Sequence, residues 1–233
     1  MRKAVRLAIL TGLVLGSLVS CLPTMRNYEG HKVFNPFYLF YLESSWRDGW
    51  QKPEEVVKAL RLSPGDVIAD IGAGGGYFTE KFSRSVGDAG RVYATDVQKI
   101  MIRKLHDRVK NRSLRNVTVV VGAFDDPRLP DQSCDIAFFS SVYKEIEDRE
   151  AYMRKLGRGL KPGGRVAIIE YRLDAPEPGP EVGARLPEER VIQEMDAAGY
   201  TLAERFDFLP REYFLVFVLK ENRPRPRDGK PAA

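Results

Sequence analysis

The sequence predicts an α/β fold: a doubly wound, Rossmann-like sheet of seven mostly parallel strands with an antiparallel C-terminal edge strand. Three observations predict it. Apolar, strand-like runs alternate with helical patterns five times, as in successive βαβ units. A glycine-rich turn follows the first of these runs. Two final strand-like segments flank Leu209-Pro210-Arg211 and form a hairpin, whose strands must run antiparallel.

Each predicted element has a local signal. Pro53 opens a first helix, and Val56 and Leu60 lie on its apolar face. The run Ile136-Ala137-Phe138-Phe139 is typical of a buried parallel strand. The predicted strands are 67–71, 91–96, 116–121, 134–141, 166–171, 201–208 and 213–220, and the later helices are 76–85, 98–110, 150–160 and 187–198. Residues 174–187 are rich in proline and glycine and predict a mobile loop.

The glycine-rich turn is Gly72-Ala73-Gly74-Gly75-Gly76, between strand 67–71 and a helix. At such a turn, backbone N–H groups and the positive end of the helix face a bound ligand. The G-x-G-x-G spacing is one residue shorter than the dinucleotide fingerprint. Asp70 precedes the turn, and a carboxylate there repels a pyrophosphate but suits a cationic or hydroxyl-bearing ligand.

Asp96 ends the next strand, about twenty residues after the glycine turn, where an acidic side chain can accept both ribose hydroxyls of an adenosine. NAD enzymes use the same arrangement. Asp96 therefore indicates a nucleoside ligand without deciding which one.

Composition restricts the class of protein. The 233 residues have room for one core of ordinary size, and 43% hydrophobic with 30% charged residues is typical of a soluble globular domain. The net charge of +5 is spread along the chain without a basic stripe interleaved with aromatics, so no nucleic-acid partner is expected. Cys21, Cys134, His31 and His106 are the full set of cysteines and histidines, which argues against a zinc site or a Ser-His-Asp triad. No metal is predicted.

The first 21 residues form a separate unit. Arg2, Lys3 and Arg6 precede an apolar run at 7–19 that is too short for a comfortable transmembrane span. The run leads into Leu18-Val19-Ser20-Cys21, which resembles a bacterial lipobox and implies lipid attachment at Cys21. The chain would then be a membrane-anchored lipoprotein facing the periplasm or the cell exterior. An uncleaved anchor, or a cytoplasmic protein with a non-functional signal, stays open.

The predicted divisions are a signal peptide at 1–21, an aromatic-rich lead-in at 22–50, a ligand-binding domain at 51–220 and a disordered tail at 221–233. The lead-in holds too many aromatic residues for a solvated linker. It either covers the ligand cleft or packs against the edge of the sheet.

Together, the motifs resemble those of class I S-adenosylmethionine (SAM)-dependent methyltransferases over about residues 50–220. Besides the glycine turn and the 91–96 strand, the resemblance rests on Asp125-Asp126-Pro127, Asp135-Ile136-Ala137 and Leu160-Lys161-Pro162-Gly163-Gly164-Arg165. It implies SAM as the cofactor, since Asp70 and Asp96 suit a cation joined to a nucleoside. The implied cofactor-binding residues are Asp70, Gly72, Ala73, Gly74, Gly76, Asp96, Val97, Phe124, Asp125 and Ser140.

The acceptor side departs from the relatives that the chain most resembles. They carry Val-Tyr-His-Glu after the fourth strand, where this chain has Val142-Tyr143-Lys144-Glu145, and a usual aspartate nearby is Ser141. Ala123 replaces an aspartate that binds the adenine amino group in many members, a role open to Asp125 or to the backbone. Without a histidine in the expected cleft, the candidate catalytic residues are Glu145 and Tyr143, followed by Glu170 and Tyr171.

Three functions stay open. The first is a SAM-dependent methyltransferase that acts on a small-molecule or lipid-like acceptor by in-line displacement. The second is a catalytically degenerate SAM-fold lipoprotein that binds a nucleoside or a protein partner. The third is a dinucleotide-binding oxidoreductase, which the shortened glycine motif and Asp70 disfavour.

Overall fold

The computed structural model describes residues 25–26, 32–33, 45–176 and 179–220. The predicted signal peptide with Cys21, most of the aromatic lead-in and the predicted tail lie outside the described residues, and the domain divisions stay predictions. Two short strands, β1 (Met25–Arg26) and β2 (Lys32–Val33), pair antiparallel.

One seven-stranded sheet organises the rest of the described chain. Its strands are β3 (Val67–Ile71), β4 (Arg91–Asp96), β5 (Val117–Val121), β6 (Cys134–Ser140), β7 (Leu160–Tyr171), β8 (Tyr200–Phe206) and β9 (Glu212–Leu219). The order across the sheet is β5-β4-β3-β6-β7-β9-β8. The five strands from β3 to β7 pair parallel, and β9 pairs antiparallel with both β7 and β8. The predicted fold class is confirmed. The C-terminal strand β9 is antiparallel to both of its neighbours and lies one strand in from the edge, which β8 forms.

In the part of the chain that the structure describes, six α-helices accompany the sheet: α1 (Asp48–Gln51), α2 (Pro53–Leu60), α3 (Tyr77–Val86), α4 (Lys99–Asn111), α5 (Arg149–Gly159) and α6 (Glu188–Ala197). They bury apolar residues on both faces of the sheet. One cluster contains Phe78, Phe82 and Phe138, and the other contains Phe139 and Leu156. Phe138 and Phe139 belong to opposite clusters because successive side chains of a strand point to opposite faces. This two-sided burial explains why β6 is apolar throughout.

The strand order reverses between β3 and β6, which creates a crevice at the carboxyl ends of these strands. The turns after β3, β4 and β6 all open at this edge, as does the start of β9, since β9 runs the other way. Side chains from the whole length of the chain therefore meet there.

The loop predicted at 174–187 is tied together by one buried side chain. The Arg185 guanidinium donates to the carbonyl oxygens of Pro180 at 2.8 Å, Ala175 at 2.7 Å, Leu173 at 3.0 Å and Arg172 at 3.2 Å. These bonds connect the two described parts of the loop to the end of β7.

Candidate active site

The glycine turn adopts a backbone that residues with side chains rarely tolerate. Gly72, Gly74 and Gly76 have φ of +64°, +57° and +86°, in the left-handed region. A Cβ on Gly72 would lie 2.5 Å from Cγ2 of Val142, whereas a Cβ on Gly74 would meet nothing within 4 Å. Gly72 is thus needed for packing against the turn after β6. Gly74 borders open space, as a loop that a ligand approaches closely requires.

Asp96 anchors the glycine turn from the neighbouring strand. Its Oδ2 accepts from the Gly74 N–H at 3.0 Å and its Oδ1 from the Gln98 N–H at 2.9 Å. Burial raises the pKa of this carboxyl, and these backbone donors oppose the rise. An ionised carboxylate has about four lone-pair positions, so two remain for further donors such as vicinal ribose hydroxyls. The Ala73 N–H adds a bond to the Thr95 carbonyl at 2.9 Å.

Asp70 lies at the end of β3, 3% exposed, with its Oδ2 accepting from Thr79 Oγ1 at 2.6 Å. Burial raises its pKa to about 7, against the opposing effects of Thr79 and the Arg47 guanidinium. A carboxyl with this pKa is half-ionised at neutral pH. A cation bound beside it favours the ionised form.

The remaining predicted cofactor residues are spread along the same edge. Val97 and Phe124 are half-buried after β4 and β5. Ser140 is half-buried, with its Oγ accepting from Gln51 Nε2 at 3.1 Å. Asp125 is exposed, and its Oδ2 lies 2.6 Å from Lys155 Nζ. Its carboxylate is therefore engaged at the surface, while Asp70, Asp96 and the glycine turn come together as predicted.

Three residues that the sequence analysis missed complete the crevice: Arg47, Gln51 and Glu212. Gln51 Nε2 donates to both Glu212 carboxylate oxygens, at 2.9 and 3.1 Å, and Gln51 Oε1 accepts from Arg47 Nε. The Arg47 guanidinium also lies over the Tyr77 ring, 4.1 Å from its centre. Burial raises the pKa of Glu212 to about 7, with Arg47 opposing the rise.

Next to this group, Lys144 bridges two glutamates. Its Nζ donates to the Ser141 carbonyl at 2.7 Å and lies 3.4 Å from Glu145 Oε1 and 3.6 Å from Glu170 Oε2. The Lys144 N–H donates to Glu170 Oε1 at 3.1 Å. Glu170 is fully buried, and its Oε2 has no hydrogen-bond partner among the described residues. Burial raises the pKa of this carboxyl, and Lys144 opposes the rise.

Tyr143 is directed into the core, away from the crevice, and its catalytic role stays a prediction that this placement does not support. It is fully buried in the core cluster with Phe139, and its hydroxyl lies 3.4 Å from Glu194 Oε2 on α6. A short 3-10 turn at Tyr143–Glu145 turns its ring inward. Burial and the nearby Glu194 carboxylate raise its pKa. Glu145, on the same turn, is partly exposed beside Lys144.

Comparison with known proteins agrees with this geometry. A family model described as a methyltransferase domain matches residues 69–168, from the end of β3 into β7. Two relatives are named ubiquinone/menaquinone biosynthesis C-methyltransferase UbiE. The Vibrio campbellii protein is 30% identical over 68% of this chain and 64% of its own, and the Vibrio parahaemolyticus protein is 34% identical over 49% and 45%. The chain thus spans about half to two thirds of the length of these curated relatives.

Among solved structures, a SAM-dependent methyltransferase from Aquifex aeolicus superposes with a TM-score of 0.77 and 26% identity, over 79% of this chain and 98% of that one. A Pyrococcus horikoshii protein, at 17% identity and a TM-score of 0.66, shares the fold.

The residues present fit SAM. Gly74 leaves open space beside the turn, Asp96 retains acceptor positions for ribose hydroxyls, and Asp70 offers a buried negative charge to a cation. Residues 69–168 thus match a methyltransferase domain, the described chain has the fold of SAM-dependent methyltransferases, and the residues of its crevice fit S-adenosyl-L-methionine as the cofactor.

Proposed function

We propose that the chain methylates a small, lipid-like acceptor that binds beside Glu170, between the Arg47–Gln51 segment and the Lys144 turn. The observation that carries this is the buried Glu170 Oε2, which accepts no hydrogen bond from the described residues, the Lys144 ammonium lying 3.6 Å from it. A buried acceptor left unpaired costs about 1–3 kcal/mol, more for a charged group. A hydroxyl of the acceptor would supply the missing donor.

The relatives' names refer to C-methylation in ubiquinone and menaquinone biosynthesis. Carbon methylation of a hydroxylated ring is easier once the ring hydroxyl has lost its proton, because the negative charge makes the ring carbon a better nucleophile. This chemistry suits a raised carboxyl pKa, and it supports a quinone-like acceptor class.

SAM, when bound, supplies a methyl group already activated on a sulfonium. The chain's own residues would orient and deprotonate the acceptor. Glu170 Oε2 takes the proton from the acceptor hydroxyl, and Lys144 keeps Glu170 ionised and in place. The ring carbon would then form its bond to the methyl group as the methyl–sulfur bond breaks, which would leave a neutral thioether, and loss of the proton on that ring carbon would restore the aromatic ring. The buried side chains of Glu212 and Arg47 lie on the opposite side of the acceptor from Lys144 and exclude water from the reacting atoms. Glu145, the base predicted from the sequence, is the alternative proton acceptor.

A comparison of two variants tests the proton acceptor. The full chain is incubated with methyl-labelled SAM and an organic extract of membrane lipids, and label entering the organic phase is counted. We expect Glu170→Gln to lower the rate by about 100-fold or more with SAM affinity unchanged, whereas Glu145→Gln, on the adjacent turn, has a small effect. A larger loss of rate in Glu145→Gln than in Glu170→Gln would show that Glu145 is the proton acceptor. SAM binding without any transfer would favour the degenerate lipoprotein.

We further propose that Cys21 anchors the chain to a membrane and that the domain faces the periplasm or the cell exterior. The lipobox-like Leu18-Val19-Ser20-Cys21 supports this proposal. No helix within the described ranges is long and apolar enough to cross a bilayer. Metabolic labelling with palmitate should mark the parent and not Cys21→Ser, and equal labelling would refute Cys21 as the lipid site.

A further inference from the structure

The positive charge of the chain is concentrated on one helix and the turn after it. Residues 98–116 contain seven lysines and arginines and one aspartate, a net charge of +6. The whole chain has a net charge of +5, so the other residues together carry −1. The expectation that the charge is spread along the chain therefore overlooked its concentration at α4.

Three of these cations lie on the outer face of α4. Met101 and Leu105 are buried against the sheet. Lys99, Arg103 and Lys110 are exposed and, with exposed His106, follow one stripe at helical spacing. The structure thus presents a predominantly basic face to solvent, with exposed Asp107 as the one acid of the helix.

Few of these charges are neutralised by the protein. Arg108 and Arg112 approach Glu80, at 3.3 and 3.7 Å. Across the described residues, no ion pair involves Lys99, Arg103, Lys104, Lys110 or Arg115. The first turn of α4 holds Lys99 and no acid, which opposes the helix dipole. An external anionic surface would offset these unfavourable charges.

The strand beside α4 adds an apolar component. β5, with the sequence Val-Thr-Val-Val-Val, is the edge of the sheet, and in the described chain its outer side pairs with no strand. Val121 is 53% exposed. The surface therefore combines cations with short apolar side chains, which suits the headgroup region of a bilayer.

We propose that the exposed face of α4, with the adjoining edge of β5, docks onto an anionic phospholipid surface, independently of Cys21. Charge complementarity supports this occupant. α4 contains no Phe, Tyr or Trp side chain on which a base could stack, which disfavours single-stranded nucleic acid. The contact would hold the domain on the membrane in which a lipid-like acceptor is dissolved. The docking proposal does not depend on that acceptor.

The test compares a triple variant with a matched control. In Lys99→Gln/Arg103→Gln/Lys110→Gln, three charges leave the α4 face; in Lys58→Gln/Arg154→Gln/Arg158→Gln, three exposed charges leave other helices. All chains are full length with Cys21→Ser. Partitioning onto phosphatidylcholine vesicles, with and without 30 mol% phosphatidylglycerol, is measured by sedimentation. The ratio of the two partition coefficients cancels any charge-independent contribution of the N-terminal apolar run.

Each basic residue near an anionic surface contributes about fivefold to partitioning. We expect the α4 variant to lower the ratio by about 100-fold, the control to lower it by less than about fivefold, and 0.5 M salt to lower the parent's ratio. An equal loss in both variants would overturn the proposal. So would an unchanged vesicle ratio together with lost binding to duplex RNA, which would assign the face to nucleic acid. Unchanged SAM affinity in the α4 variant confirms that its fold is intact.

Discussion

Replacing Gly72 and Gly74 by alanine should separate the packing of the glycine turn from its contact with the cofactor. Both residues have a left-handed backbone, so alanine costs each variant about 1–2 kcal/mol of the free energy of unfolding. At Gly72 the new Cβ would also lie 2.5 and 2.6 Å from the two methyl carbons of Val142. Such overpacking adds about 1–3 kcal/mol, so Gly72→Ala should cost about 2–5 kcal/mol in total.

At Gly74 the added methyl group meets no protein atom within 4 Å. Gly74→Ala should therefore lose only the backbone contribution to stability, while SAM affinity falls by about tenfold or more because the methyl group enters the space where the cofactor approaches. The two variants should therefore rank in opposite order for stability and for SAM affinity. Gly72→Ala is the less stable, and Gly74→Ala loses more affinity per unit of stability lost.

Urea unfolding of the free protein measures stability, and calorimetry with SAM measures affinity. A double-mutant cycle with Val142→Ala isolates the collision at Gly72, and we expect a coupling of about 1–3 kcal/mol because the smaller side chain vacates the clash. Equal destabilisation of the two glycine variants, or no coupling to Val142, would refute the packing argument.

Three further predictions follow from the buried charges. SAM affinity of the parent should rise about tenfold between pH 6 and pH 8, because a cationic ligand favours ionised Asp70 with its pKa of about 7, and Asp70→Asn should remove this dependence. Arg185→Met should cost about 3 kcal/mol of the free energy of unfolding and speed proteolysis near 176–179, because it removes the donor that four backbone carbonyls in and beside the loop share. Lys144→Met should cost about 3–5 kcal/mol by leaving Glu170 a buried, uncompensated charge.

The destabilisation by Lys144→Met should depend on pH in a definite direction. Without Lys144 the pKa of Glu170 rises further, so the folded state holds its proton to higher pH than the unfolded chain does. Stability of Lys144→Met should therefore fall as the pH rises, relative to the parent. A destabilisation by Lys144→Met that is the same at pH 5 and pH 8 would contradict the Lys144–Glu170 pairing. A SAM affinity of the parent that does not change with pH would contradict the role of Asp70. Unchanged proteolysis of Arg185→Met would contradict the role of Arg185 in the loop.

The parts of the site that could be predicted from the sequence are local in the chain. Asp70 and the glycine turn are adjacent residues, and Asp96 follows at a spacing fixed by one βαβ unit. The strand at 91–96 was predicted with the bounds that the structure has, because its apolar run ends at a charged residue.

The acceptor side could not be predicted in the same way. Gln51 and Glu212 are 161 positions apart, and no periodic pattern connects a residue of α1 with the first residue of β9. They meet because β9 runs antiparallel and begins at the carboxyl edge where α1 packs. The signal that was present is a glutamate at the end of β7 and another at the start of β9, each next to a buried tyrosine.

The inward placement of Tyr143 could not be predicted for a related reason. Neighbours along a motif need not share a face, and the 3-10 turn directs Tyr143 into the core while Lys144 and Glu145 remain near the crevice. Adjacency in sequence established the motif, but only the turn geometry decides which of its side chains a ligand can reach.

The central claim is that Asp96 and the glycine turn bind SAM, and isothermal titration calorimetry of SAM with the full chain and with Asp96→Ala tests it most directly. The parent should bind SAM, and Asp96→Ala should bind at least about 100-fold more weakly, because two hydroxyl acceptor positions and the anchor of the Gly74 N–H are lost together. Equal affinity for the two chains, or no heat from the parent, would contradict it.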